Sequence, residues 1–192
     1  MGYSLSWLAI RGKSAEAVRD ELGFRPTGKR EQIPEAALSA VEMPNGWYLI
    51  VSNRSEQVAD DATMQRLSSS GCALVTCFVE EHVMVSRAST WAGGRSKWSV
   101  THDAQQGHGH LEAHGELPPS YTSILDQLKT KQQDADANNE QTDYIFDVPV
   151  ELALSVVGYR HDRDVPGLSG EVFEVLAGAP QKSSLWKRLF GA

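Results

Sequence analysis

Cysteine is scarce in this chain: Cys72 and Cys77 are the only two among 192 residues, too few for a disulfide-stapled scaffold. They stand five apart in a strand-like run, so their side chains point to opposite faces and cannot readily bridge each other. Two reduced, buried thiols in a cytoplasmic protein are the expectation. Long apolar runs are missing as well; none approaches the length of a membrane span, so no transmembrane segment is expected. The apolar run at residues 3–10 has no basic region before it and no small-residue cleavage site after it, unlike a signal peptide. Met1-Gly2-Tyr-Ser-Leu-Ser6 fits a myristoylation pattern in form, but the next residues read as a buried strand, and the match reads as coincidence.

Basic residues are outnumbered, 18 Lys and Arg against 25 Asp and Glu, for a net charge of −7. A general grip on nucleic acid needs a clustered cationic excess and is not expected. Motifs of nucleophilic or phosphate chemistry are also missing. There is no Gly-x-Ser-x-Gly; Cys77 and His82 could pair, but Cys77 lies in the most apolar strand, where a thiol packs as a small hydrophobe and stays protonated. Ala92-Gly93-Gly94-Arg95 joins two strands and opens no helix, so it reads as a hairpin turn. Glu80-Glu81 and Asp60-Asp61 are adjacent acids whose strand neighbours face opposite ways. Catalytic residues therefore remain unassigned.

What is present is ordinary for a globular protein: 41% hydrophobic and 22% charged residues, enough chain for a proper core. We expect an α+β fold with a bent, mainly antiparallel sheet of six or more strands and three or four helices packed mostly on one side. One domain would span residues 1–176, with a mobile polar loop near 131–143. Residues 177–192 would form a linker and a short basic, aromatic segment.

Residues 3–10 become apolar on both faces and suggest a central strand. A helix comes next, with Ser14 as N-cap, Val18 and Leu22 at helical spacing and Gly23 as stop. Residues 24–35, with two prolines and mixed charges, read as a loop. Residues 37–43 and 47–53 flank Pro44-Asn45-Gly46, whose Asn-Gly pair predicts a hairpin with a type I′ turn. Residues 55–70 read as one surface helix or two short ones. Beyond them lies a meander, with strands at 73–79, 83–91 and 96–102, and parity turns His102 toward apolar neighbours. Residues 120–131 predict an amphipathic helix, 144–147 a short strand and 148–157 a helix ended by Gly158. Glu21-Leu-Gly23-Phe24-Arg25 and Val156-Val-Gly158-Tyr159-Arg160 echo each other, although a Gly cap followed by an apolar contact is a common helix ending.

The meander holds five of the six histidines. Its last segment, Gly107-His-Gly-His-Leu-Glu-Ala-His-Gly-Glu-Leu117, predicts one strand with His108, His110, Glu112, His114 and Glu116 on one face. His108 and His110 could give a divalent transition metal two ligands, with His102, Asp103 or Glu112 as a third. His114 is roughly 13 Å from His110 along an extended strand, too far to share the ion. The balance favours a wet polar surface and no cofactor.

Two further leads remain. His161-Asp162-Arg163-Asp164 clusters charge after a helix end, with His161, Asp162 and Asp164 as candidates to line a polar site. Leu185-Trp-Lys-Arg-Leu-Phe190 places Leu185, Trp186, Leu189 and Phe190 on one helical face beside Lys187 and Arg188. Such a segment suits docking on its own domain or on a protein partner; it buries too little area for stable membrane anchoring. The functional expectation is a non-enzymatic binding or protein-interaction domain, of the size and acidic balance seen among small bacterial accessory or inhibitor-like proteins. The alternative is a small metal-dependent hydrolase using the histidine-rich strand. Oligomeric state is not legible.

Overall fold

The computed structural model describes residues 2–53 and 58–178. In chain order the elements are β1 (Ser4–Arg11), α1 (Ala15–Leu22), β2 (Phe24–Glu31), β3 (Leu38–Glu42), β4 (Tyr48–Ser52), α2 (Asp61–Ser69), β5 (Ala73–Glu80), β6 (Val85–Ala92), β7 (Arg95–Asp103), a 3₁₀ turn (Ala104–Gln106), β8 (Glu112–Gly115), α3 (Ser120–Ala137), α4 (Asp147–Val157) and β9 (Phe173–Gly178). The strands form one open sheet of nine, ordered β2-β9-β3-β4-β1-β5-β6-β7-β8. Every pairing in it is antiparallel. The α+β reading and the mainly antiparallel sheet of six or more strands hold.

β1 sits mid-sheet because it is apolar on both faces. Leu5, Trp7 and Ala9 enter one core with α4, part of α3 and the segment after α4. Leu8 and Ile10 enter a second core with α1 and α2. The four helices therefore divide between the two faces instead of gathering mostly on one, since a strand row buried on both sides needs cover on both.

The helix ends follow local chemistry. Ser14 accepts a hydrogen bond from the Ala17 backbone N–H at 3.3 Å, and Gly23 closes α1 in the left-handed region. Asp60 caps α2 in the same way, accepting from the Thr63 N–H at 2.8 Å. The hairpin between β3 and β4 is present, but its turn differs from expectation. Asn45 does not adopt the positive φ that a type I′ turn demands, whereas Gly46 does (φ 84°). Gly46 N–H donates to the Met43 carbonyl and Met43 N–H to the Trp47 carbonyl, the pattern of a three-residue loop with a left-handed glycine after a type I turn. Pro44, whose ring presets the first turn position, favours that geometry.

Three segments depart from the sequence reading. Residues 24–31 form β2, although they are charged and contain Pro26. This strand is a sheet edge, and Pro26, a register shift between Pro26 and Arg30 and the cations Lys29 and Arg30 are the features that protect an edge. β9, unmarked in the sequence, joins β2 to β3; it runs through residues 177 and 178, where the linker was expected to begin. α3 continues to Ala137, into the expected polar loop. There Ala135 is buried, while Gln132 donates to Asp136 and to the Thr142 carbonyl and accepts from the Tyr144 N–H.

The expected strand at 144–147 is a turn entering α4, with Asp143 Oδ1 accepting from the Ile145 and Phe146 N–H groups. The two echoing segments also part company: Gly23 leads into β2, whereas Gly158 leads into an irregular segment. What the two ends share is a glycine cap.

The histidine segment is not one strand. Asp103 accepts from the Gln105 N–H to set the 3₁₀ turn, residues 107–110 turn again with His110 N–H donating to the Gly107 carbonyl, and pairing begins only at Glu112. The expected common face for His108 to Glu116 is therefore broken. β8 stops at Gly115 (φ 83°), where an added Cβ would lie 2.0 Å from the Lys97 carbonyl oxygen. Gly115→Ala is accordingly expected to peel β8 off β7, read as faster amide exchange at His114 and Glu116 with the central strands still protected.

Candidate functional site

The structure assembles two polar sites from residues that are distant in sequence. The first joins the end of β7 to the turn before α4. His102 is fully buried; its Nδ1 lies 2.8 Å from the His110 carbonyl oxygen, and its Nε2 lies 3.1 Å from Asp143 Oδ2. Neither Nε2 nor Oδ2 has a well-aligned hydrogen-bond partner, so the pair is chiefly an ion contact. With an acceptor at each ring nitrogen, His102 suits the doubly protonated form. Burial opposes that charge, but Asp143 and the His110 carbonyl outweigh it and hold the pKa of His102 above its usual value. Asp143 also resists burial: His102 and the two N–H groups it caps hold it below the ordinary carboxylate range.

The three expected metal ligands do not converge. His108 approaches Asp143 Oδ2 at 3.8 Å but is otherwise exposed. His110 turns its Nδ1 to accept from the Asp103 N–H at 3.0 Å, with Nε2 3.4 Å from Glu112. Among the described residues no group of three or more His, Cys, Asp or Glu side chains is arranged to hold a metal ion. His114 lies elsewhere, with Glu112, Thr101, Ser99 and Arg87 along a shallow polar groove of about 350 Å³. Cys77 is buried and its thiol is pushed up to about 12, leaving it an inert core group.

The second site contains the expected cluster His161, Asp162 and Asp164. The segment from Tyr159 to Val172 packs over one face of the sheet and, with Tyr3 and the turn at residues 32–34, encloses a cleft of about 330 Å³. Arg160 anchors this wall. Its guanidinium reaches Asp162 at 2.6 Å, Glu151 at 2.6 Å and Asp147 at 2.9 Å, with Arg163 also on Glu151 at 2.7 Å. Burial would depress Arg160, but these acids outweigh it and raise its pKa. Burial pushes Asp147 up despite the same arginine, whereas contact with Arg160 overcomes burial and lowers Asp162.

On either side of Arg160 an aromatic ring locks the segment to β1 and its N-terminal flank: Tyr159 packs edge-on against Trp7 at 5.6 Å, and His161 against Tyr3 at 4.6 Å. Arg30 of β2 ties down the far end by donating to the Glu171 and Val172 carbonyls. Burial lowers the pKa of His161, with Asp162 opposing, and its buried Nδ1 has no hydrogen-bond partner. Ser169 lines the same cleft. It makes no hydrogen bond to His161 among the described residues, and Asp162 is committed to Arg160, so the three are not wired as a nucleophile, base and orienting acid.

Comparison with protein-family models, curated proteins and solved structures matches the chain to none of them. The chemistry of both sites is read from their geometry alone. Sequence reasoning found His102, His161 and their neighbours but missed Asp143, Arg160, Tyr3 and Ile33. Asp143 did carry a signal: an Asp placed before an apolar run at a helix start is a capping pattern. Leu185, Trp186, Leu189 and Phe190 lie outside the described residues.

Because His102 is raised, its stabilising share is complete below about pH 6.5 and drains as pH rises through the raised value; because Asp143 is lowered, its share is complete above about pH 4 and drains as pH falls through the lowered one. The urea midpoint gap between the native chain and Asp143→Asn, which keeps the capping oxygen, should thus be widest between about pH 4 and 6.5 and narrow on the alkaline side. A gap independent of pH would show that the pair is uncharged. Arg160→Ala should cost about 1–3 kcal/mol in the same assay, since it removes a buried guanidinium and its hydrogen bonds to three partly exposed carboxylates.

Proposed function

We propose that the protein is a non-enzymatic binding module whose cleft takes a cationic segment bearing apolar side chains. The supporting observation is the placement of its exposed hydrophobics. Among the described residues the large hydrophobic side chains left exposed are Tyr3, Ile33 and Val83, and both Tyr3 and Ile33 line the cleft. A grouped exposed apolar patch, unlike a lone one, marks a surface that something covers. Val165, Leu168, Val172 and Phe173 continue it inward.

The charge that comes with this floor selects the sign of the occupant. Asp164 lines the cleft, and Glu35 and Glu171 follow the lining residues Pro34 and Gly170 directly. None of these three carboxylates has an ion-pair partner among the described residues; of the nearby cations Arg163 is paired with Glu151, and Arg30, turned to the Glu171 and Val172 carbonyls, offsets one of the three acids. An apolar floor with unpaired acids favours Lys or Arg flanked by aliphatic or aromatic groups, and opposes nucleic acid and acidic peptides. The cleft walls are tied by the Arg160 and Arg30 contacts, so the site needs little ordering when it binds.

Fluorescence anisotropy with labelled decapeptides carrying a Lys-Arg pair flanked by Trp, Leu or Phe tests this reading. Binding is expected to weaken about tenfold or more, the equivalent of 1.4 kcal/mol, in Asp164→Lys and in Ile33→Ser. It should also fall with salt. Equal binding by charge-reversed peptides, or no effect of either variant, would overturn it.

A further inference from the structure

We infer that the occupant of this cleft is the chain's own segment 185–190, docked in cis, an inference that rests on the binding reading above. Chemistry supports it first. Leu185-Trp-Lys-Arg-Leu-Phe190 combines adjacent cations with four large apolar side chains, the composition that the unpaired Asp164, Glu35 and Glu171 and the exposed Tyr3 and Ile33 call for. The chain is net acidic at −7, so a basic, aromatic cluster of this kind meets complementary charge on the domain it is tethered to.

Reach supports it second. Phe173, the first residue of β9, lines the cleft, and β9 ends at Gly178. Those five steps carry the chain roughly 17 Å from the cleft wall. The seven steps from Gly178 to Leu185 span up to about 25 Å, so the segment can double back to the wall it came from. Tethering at that length gives an effective concentration in the millimolar range, enough for a weak contact to be largely closed. A docked tail would then compete with any partner, and the cleft would open to stronger ligands only by displacing it.

The test uses the full chain with a nitroxide on Ser184→Cys; Cys72 and Cys77 are buried and do not compete for the label. The methyl resonances of Ile33, Leu168 and Val172 are expected to lose most of their intensity, and to recover in Lys187→Glu/Arg188→Glu. Unchanged intensities would overturn the inference. So would broadening that persists when an isotope-labelled chain without nitroxide is mixed with a nitroxide-bearing chain without isotopes, because the occupant would then be a second copy. If the methyls stay sharp while the Lys-Arg decapeptides still bind the full chain, only the cis occupant fails. If those peptides do not bind either, the binding reading fails with it.

Discussion

Burial of β1 on both faces is the constraint from which the architecture follows. Leu5, Trp7 and Ala9 cannot be shielded by the helices that shield Leu8 and Ile10, because alternate side chains of a strand leave on opposite sides. Once β1 is central, β4 and β5 pair with it and are themselves apolar on both sides: Leu49 and Val51 against Ile50, and Val75 and Cys77 against Leu74. α1 and α2 cover one face; α3 and α4 cover the half of the other that carries β5 to β7. Among the described residues no helix covers the quarter left over, on the β3, β4 and β9 side. The irregular segment after α4 covers it with Tyr159, Val165, Leu168 and Val172, and the cleft exists because an irregular segment seals a sheet less completely than a helix does.

That substitution explains why so much charge is concentrated at Arg160. A segment without regular secondary structure has no internal ladder to hold it, so its position must come from side chains. Arg160 reaches two carboxylates on α4 and one within its own segment, while Tyr159 and His161 hold β1 and its flank through ring contacts. A planar guanidinium is suited to three acids at once in a way that an ammonium is not. The charge is costly to bury, and its return is positional: it fixes where Asp164 and the apolar floor face.

The parts of the fold legible in the sequence were those decided by neighbours in the chain. The alternation of β1, the Ser14 and Gly23 caps, the β3–β4 hairpin and the inward turn of His102 all follow from parity or local capping. The parts that stayed hidden depend on partners far away. β2 looks like a loop because an edge strand tolerates proline and charge, and β9 gains its place only from pairing with β2 and β3. The last turns of α3 are helical because Gln132 bonds across to residues 142 and 144, which no periodicity records. In the histidine segment the parity rule was sound, but it was applied through Gly107 and Gly109, where the backbone turns and the alternation lapses.

The candidate site divides along the same line. His161, Asp162 and Asp164 were visible as a cluster because they are contiguous, but the features that turn a cluster into a cleft, Tyr3 and Ile33, come from the opposite end of the chain. The histidines show the converse. His102, His108 and His110 are close in sequence and suggest shared chemistry, yet the structure turns them to separate contacts: Asp143 and the His110 carbonyl for His102, Asp143 only at longer range for His108, and the Asp103 N–H for His110. The ring nitrogens of His102 and His110 are spent on holding the β7–β8 connection against the turn before α4, while His108 stays largely exposed. A metal requires lone pairs directed at one point, and an imidazole already engaged at both nitrogens has none to direct. At the cleft, by contrast, His161 Nδ1 is buried without a hydrogen-bond partner. The contacts of His102 and His110 thus hold the fold together, whereas Asp164 on the cleft lining has no ion-pair partner among the described residues.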